Sequence, residues 1–250
     1  MKICLCGLGR AGREFVRYLA ENPVHELVAV VCREESATAG KSVTELTEIA
    51  IDPSLCVQPI EHFDPRAKSI DVIVDFSACA TSLKLVDLCC RTKTNLVICP
   101  TDFHEREIEY IKNKAITNSI GLVFASTLTS GINLVIDFVE RLSKVFPDYR
   151  FEIIERHPYN KPSPTKTARY IQQAISREVV PISSIRLDGY VGVHEITATD
   201  GYERISITHE SFSRTAFVRG ALLAAEFIQR KRGVFYMKDI VKTLLLDEKL

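Results

Sequence analysis

The sequence predicts an α/β fold: a doubly wound parallel sheet, joined to a smaller α+β region whose sheet is mainly antiparallel. Three observations predict it. Up to residue 125, short apolar runs alternate with stretches of helical spacing, the order that builds parallel strands with helical crossovers. The first run leads straight into Gly7-Leu8-Gly9-Arg10-Ala11-Gly12. Beyond residue 130 the runs alternate apolar and polar residues, as strands with one exposed face do.

At 250 residues the chain can hold one large domain or two small ones. Its 32 basic and 32 acidic side chains cancel, which argues against nucleic acid or an anionic membrane as the main partner. No apolar run approaches the ~20 residues that span a bilayer. Residues 1–6 read directly into a strand, so no cleavable signal is expected and a cytoplasmic location is. The eight cysteines form no C-x-x-C pair and sit mostly in apolar runs, so they read as reduced core thiols. No metal site is expected.

Residues 2–6 form the first strand. After the glycine turn, residues 14–21 have helical spacing with Phe15, Tyr18 and Leu19 on one face, and residues 26–32 supply a second strand. Strand, Gly-x-Gly-x-x-Gly, helix and strand within about thirty residues is the Rossmann-type dinucleotide fingerprint. Its glycines let the backbone turn tightly and approach a pyrophosphate, which the helix N-terminus faces. Gly7, Leu8, Gly9, Arg10, Ala11 and Gly12 are therefore the expected phosphate-binding residues; a glycine turn that binds nothing is the alternative. At the end of the second strand a carboxylate holds the ribose of NAD, whereas an arginine accommodates the 2′-phosphate of NADP. Cys32 stands at that position, with Arg33 beside it and Glu34 beyond. Arg33 favours NADPH; Glu34 leaves NADH open.

A polar helix near 43–49 and a short strand near Val57 come next. Residues 70–76, 95–99 and 122–125 then read as buried strands, separated by helices at 83–91 and 104–116. Ligands bind beyond the carboxyl ends of such strands. Ser77, Thr101, Ser126 and Thr127 stand there and are expected to rim the cofactor, although each would equally serve as a helix cap.

From Ser130 the pattern changes. Residues 132–142 form an amphipathic helix with Ile132, Val135, Ile136, Val139 and Leu142 on its apolar face. A strand at 150–154 delivers a polar stretch with Glu155, His157 and Lys161, and a helix follows to about Ser176. His157 can move a proton near neutral pH. Lys161 can hold a carboxylate or donate a proton, and the N–H groups that open the next helix suit an anion. A small substrate with carboxylates and an atom to protonate fits that set. Strand-like runs follow near 185–191, 194–199 and 203–210; His194 and His209 lie in them and read as cross-strand structural histidines. Residues 219–229 are helical, and 234–246 form the last patterned stretch.

Taken in order, these residues resemble the dihydrodipicolinate reductases, NAD(P)H-dependent enzymes of bacterial lysine biosynthesis. Glu155-x-His157 and Lys161 keep the order and spacing of the family's substrate stretch, and Pro164-Thr165-Lys166-Thr167-Ala168 stands for its loop. Val74-Asp75-Phe76-Ser77, Gly131-Ile132-Asn133 and Ile207-Thr208-His209 also match. Pro158 replaces the family's second histidine, and Lys166 its loop glycine. The resemblance implies a nucleotide-binding domain of residues 1–128 plus 216–250, an inserted substrate domain of residues 129–215, and a homotetramer. It implies that His157 is the general acid–base residue with Lys161 its partner, and that Thr165, Lys166 and Thr167 bind a small dicarboxylate substrate. The implied reaction reduces 4-hydroxy-tetrahydrodipicolinate to tetrahydrodipicolinate. A paralogous reductase of another small imine or enamine acid, and a non-catalytic dinucleotide-binding protein, are the alternatives.

Overall fold

The computed structural model describes residues 1–175 and 180–246. Contacts divide the chain into two units, Met1–Leu128 with Phe217–Leu250, and Thr129–Ala216. The first unit begins with β1 (Lys2–Cys6), α1 (Arg10–Glu21), β2 (Glu26–Cys32), α2 (Val43–Thr47) and β3 (Val57–Pro59). It continues with β4 (Val72–Asp75), α3 (Cys79–Thr92), β5 (Asn95–Ile98), α4 (Glu105–Thr117) and β6 (Gly121–Phe124). The second unit holds α5 (Ser130–Val145), β7 (Arg150–His157), α6 (Lys166–Ala174), β8 (Ile182–Arg186), β9 (Gly192–Thr199) and β10 (Arg204–Ser211). Along α7 (Thr215–Ile228) the chain rejoins the first unit, which it completes with β11 (Gly233–Tyr236) and α8 (Met237–Leu246).

All strands of the first unit are parallel, in the order β3-β2-β1-β4-β5-β6-β11. Side chains alternate between the two faces, and each face has its own core. Ile3, Leu5, Val72, Val74 and Val97 pack with Phe15, Val16 and Leu19 of α1 and with Ala221, Ala225 and Ile228 of α7. Cys4, Cys6, Ile73, Leu96 and Ile98 pack with Leu85 and Cys89 of α3 and Ile111 of α4. A strand buried on both faces reads as a continuous apolar run, which is why these runs were legible. The strand order reverses between β1 and β4, the place where open sheets of this kind take their ligands.

Two features of this unit differ from the sequence expectation. Helix α3 begins at Cys79, not near residue 83. The last stretch also contains a strand, β11, whose four residues are too few for periodicity to separate from the helix behind them. All eight cysteines are reduced, and six are buried. Burial pushes the thiols of Cys4, Cys6, Cys89 and Cys99 far above their ordinary value, so they act as small hydrophobes. Among the described residues no helix is long and apolar enough to cross a membrane.

The second unit is a four-stranded sheet in the order β10-β9-β7-β8. β9 is antiparallel to both neighbours, and β7 and β8 are parallel because α6 forms the crossover between them. The strand expected at 185–191 is Ile182–Arg186 instead; a turn follows, with Gly189 at φ +99°, where a side chain would be strained. The helix expected to reach Ser176 runs to Ala174, and Ser176 lies outside the described residues. Ile132, Val139 and Leu142 of α5 and Ala168 and Ile171 of α6 cover one face of the sheet.

Candidate active site

The glycine turn of the first unit has the shape a dinucleotide needs. Gly7 sits at φ +94°, and a Cβ there would lie 3.0 Å from the Phe76 carbonyl group. A Cβ on Gly12 would lie 2.0 Å from the Gly7 oxygen, so α1 can pack onto the turn only without one. Gly9, the N-cap of α1, faces open space, with no atom within 4 Å of where its Cβ would stand. The first turn of α1 has no acidic residue to compete for an anion. These residues fit the pyrophosphate of a dinucleotide.

Arg33 is exposed directly after β2, and Ser77, Thr101, Ser126 and Thr127 follow β4, β5 and β6 on the carboxyl side of the sheet. The Ser77 hydroxyl is committed inward, donating to Asp75 Oδ1 at 2.5 Å, while Ser82 donates to Oδ2 at 2.5 Å. Asp75 is buried at the strand-order reversal, and burial raises its pKa. Ser77 therefore presents its backbone, not its hydroxyl, beside the glycine turn.

In the second unit β7 extends through His157, past the expected end at residue 154. Its covered face reads Phe151, Ile153, Glu155, His157, so the polar pair continues the alternation of the core. The neighbours follow the same rule. Ile182, Ser184 and Arg186 of β8 and Ala198, Ile196 and His194 of β9 run from apolar to polar along that face. The site is thus the polar end of a hydrophobic core.

Glu155 is its anchor, with no exposed surface. Oε1 accepts from Ser184 Oγ and from the Arg186 guanidinium, both at 2.7 Å. Thr165 donates both its N–H, at 3.1 Å, and its hydroxyl to the carboxylate. Burial alone would raise the Glu155 pKa, but the hydrogen bonds from Ser184, Thr165 and Arg186 outweigh it and hold it at about 2. Arg186 also grips the loop, donating to the Lys161 and Pro162 carbonyls at 2.8 and 2.7 Å.

The imidazoles of His157 and His194 close over Glu155. Their Nε2 atoms are 3.4 Å apart, and each is 3.8 Å from Glu155 Oε2. Burial lowers the His157 pKa; the Glu155 charge opposes this, while Arg186 and Lys161 add to it. Burial, followed by the charge of His157, lowers His194 to about 3. Gly192 makes room for the His157 ring, since a Cβ there would lie 2.9 Å from Cε1.

His157 and Thr165 thus meet at Glu155, and Lys161 lies close enough for its charge to act on His157. Lys161 and Lys166 are exposed and Thr167 is half-buried at the start of α6. Thr165, expected among the substrate-binding residues, has its hydroxyl buried: it donates to Glu155 and caps α6 by accepting from the Ala168 N–H at 3.2 Å. It holds the loop in place. Ser184, Arg186, Gly192 and His194 were not singled out as site residues from the sequence. The signal was present in the period-two spacing of Ser184 and Arg186 behind Ile182.

Comparison with known proteins identifies the family. Residues 1–128 match the family model described as dihydrodipicolinate reductase, N-terminus, and residues 131–241 match dihydrodipicolinate reductase, C-terminus. A protein of Thermosipho africanus named 4-hydroxy-tetrahydrodipicolinate reductase is 36% identical over 69% of this chain and 79% of its own length. One of the same name from Methanopyrus kandleri is 26% identical, covering 96% of this chain and 95% of its own. The solved structure of a dipicolinate-bound dihydrodipicolinate reductase from Paenisporosarcina sp. TG-14 shares the fold. Its TM-score is 0.81 at 21% identity, covering 96% of this chain and 99% of that one.

The two family models and the reductase-named relatives make the chain an NAD(P)H-dependent oxidoreductase, and the parallel sheet with its glycine turn is consistent with that class. Both family models cover their parts of the sequence in order. The chain belongs to the dihydrodipicolinate reductase family.

Proposed function

We propose that this protein reduces 4-hydroxy-tetrahydrodipicolinate to tetrahydrodipicolinate, with NADPH as the preferred reductant. The observation that carries this reading is the geometry of His157: an imidazole held on a rigid strand by a buried Glu155, with the cation of Lys161 beside it. The cofactor, when bound at the glycine turn, supplies a hydride. The chain's own residues supply the proton and hold the substrate. Loss of water from the hydroxy compound leaves a conjugated cyclic imine, which takes up one hydride and one proton to give the product.

His157 provides that proton. Its pKa is depressed in the isolated protein, and a dianionic substrate drawn in by Lys161, Lys166 and the start of α6 raises it by direct charge attraction. Glu155 stabilises the imidazolium and fixes the ring; Arg186 and Ser184 fix Glu155. Lys166, where the family has glycine, adds a cation at the carboxylate position. Arg33 beside Cys32 supports NADPH over NADH. The uncovered face of the small sheet, where Ile185 is 42% exposed, supports a homotetramer, and we place the enzyme in the cytoplasm.

The test mixes purified protein, NADPH and the condensation product of pyruvate and aspartate semialdehyde, and follows the loss of nicotinamide absorbance. Turnover should fall by roughly 10²–10⁴-fold in His157→Ala, the range expected for losing a positioned acid, and collapse in Lys161→Ala. NADPH binding without turnover of this substrate refutes the proposal.

A further inference from the structure

The sequence suggested no metal site, yet three buried side chains turn ligand atoms toward one point. Glu155 Oε2, His157 Nε2 and His194 Nε2 form a triangle with edges of 3.8, 3.8 and 3.4 Å. A point equidistant from the three lies about 2.1 Å from each, matching the 2.0–2.2 Å that zinc keeps to imidazole nitrogen and carboxylate oxygen. We propose that Glu155, His157 and His194 bind one zinc ion, and that this ion reversibly inhibits the enzyme by occupying the His157 Nε2 lone pair. The inhibitory half of the proposal rests on the reading of His157 as the proton donor.

The surroundings suit a metal as well as the triangle does. A ligating imidazole is ordinarily held by a hydrogen bond from its other nitrogen to a carbonyl or carboxylate. The Val191 backbone hydrogen-bonds the His157 ring, and Nε2 is the nitrogen that faces His194 and Glu155. Glu155 is divided in function: Oε1 is fixed by Ser184 and Arg186, while Oε2 faces the two imidazoles and is bonded by Thr165. Two imidazoles and one carboxylate select zinc over magnesium or calcium, which take oxygen ligands. Three protein ligands also leave a fourth position for water, as in open zinc sites. All three residues are at most 7% exposed and stand on neighbouring strands, so the set is preformed.

Zinc binding can be measured without turnover, by competition with a chromophoric chelator and by the d–d spectrum of cobalt(II) in place of zinc. The expected result is one equivalent per chain, a four-coordinate cobalt spectrum and no thiolate-to-cobalt charge-transfer band, which excludes the cysteines. Affinity should fall more than 100-fold in both His194→Asn and His157→Asn. Ser184→Ala should cost only the roughly 10–100-fold typical of a supporting partner. Thermal unfolding of each metal-free variant checks that it folds, and either histidine variant suffices. No binding at micromolar zinc, a thiolate band, or unchanged affinity in the folded histidine variants overturns the site. Full activity at saturating zinc overturns the inhibition. Absence of reductase activity even with chelator present is a failure of the functional reading, and leaves the site to stand or fall on the cobalt spectrum.

Discussion

Gly192 has no side chain because the ring of His157 fills the space: a Cβ there would lie 2.9 Å from Cε1 and 3.3 Å from Nδ1. Gly192→Ala must turn the ring or push β9 away from β7. We expect a folded protein destabilised by about 1–3 kcal/mol, as for other overpacked sites. An ångström-scale displacement of an acid costs on the order of 100-fold in kcat/KM. Steady-state kinetics and urea unfolding on the same preparation check this, and wild-type kinetics would show that the ring has room to spare.

Glu155 and Arg186 form a buried pair, and removing one partner strands the other. Glu155→Ala should cost about 3–5 kcal/mol. Arg186→Met should also destabilise, and it should free the loop at Lys161 and Pro162 that the guanidinium holds. In a double-mutant cycle the combined loss should be well below the sum, because the second substitution removes a charge already left unpaired. Strict additivity would mean that the two do not interact.

Acid should destabilise the protein earlier than carboxylate titration alone would. His194, held neutral at about 3, takes up a proton on unfolding, so the unfolded state binds more protons between that value and 6.5. Stability therefore rises with pH across that window, by up to about 1.4 kcal/mol per unit. Glu155 adds a second loss as pH falls from its ordinary 4.5 toward about 2. With chelator present, urea unfolding should show a loss of about 2 kcal/mol between about pH 6.5 and pH 5. His194→Asn should flatten that slope.

The kinetic pH profile depends on His157. An acid must be protonated to act, and kcat/KM reports the free enzyme. Its value should fall as pH rises, along a limb placed below the ordinary histidine value of 6.5 because burial depresses this pKa. The limb should vanish in the residual activity of His157→Gln. A limb unchanged in that variant would assign the titration to another group.

Arg33 is exposed at the end of β2, with Glu34 next to it. Arg33→Ala should raise the KM for NADPH by roughly ten- to a hundredfold, the value of one charge-assisted hydrogen bond. The KM for NADH should not change. A wild-type preference for NADH, indifferent to this substitution, would reverse the cofactor assignment.

The large sheet was legible because its strands are buried on both faces and its turn needs glycine at fixed positions, which are local properties of the chain. The site was half legible. His157 and Lys161 stand four residues apart and announce themselves; Ser184, Arg186 and His194 reach Glu155 from 29 to 39 positions away, and only the register of β8 and β9 brings them there. The inward turn of the Thr165 hydroxyl is not legible, because its spacing beside the loop looks the same whether that hydroxyl meets a ligand or a buried carboxylate. From the sequence His194 reads as a cross-strand histidine. It does lie opposite His209, but its other neighbours are His157 and Glu155.

The first unit is made from both ends of the described chain. Val218, Ala221, Leu222, Ala224, Ala225, Ile228, Met237 and Ile240 all belong to the core that covers β1, and Gly220 lies so close to the Leu128 carbonyl that a Cβ would stand 1.7 Å from its oxygen. Synthesis on a ribosome runs in one direction, so β6 leaves the exit tunnel long before the strand and helix that complete its sheet. The second unit, by contrast, is one uninterrupted segment, Thr129–Ala216. The core of the first unit is therefore complete only when residues 217–240 have been made, whatever the earlier strands have already formed.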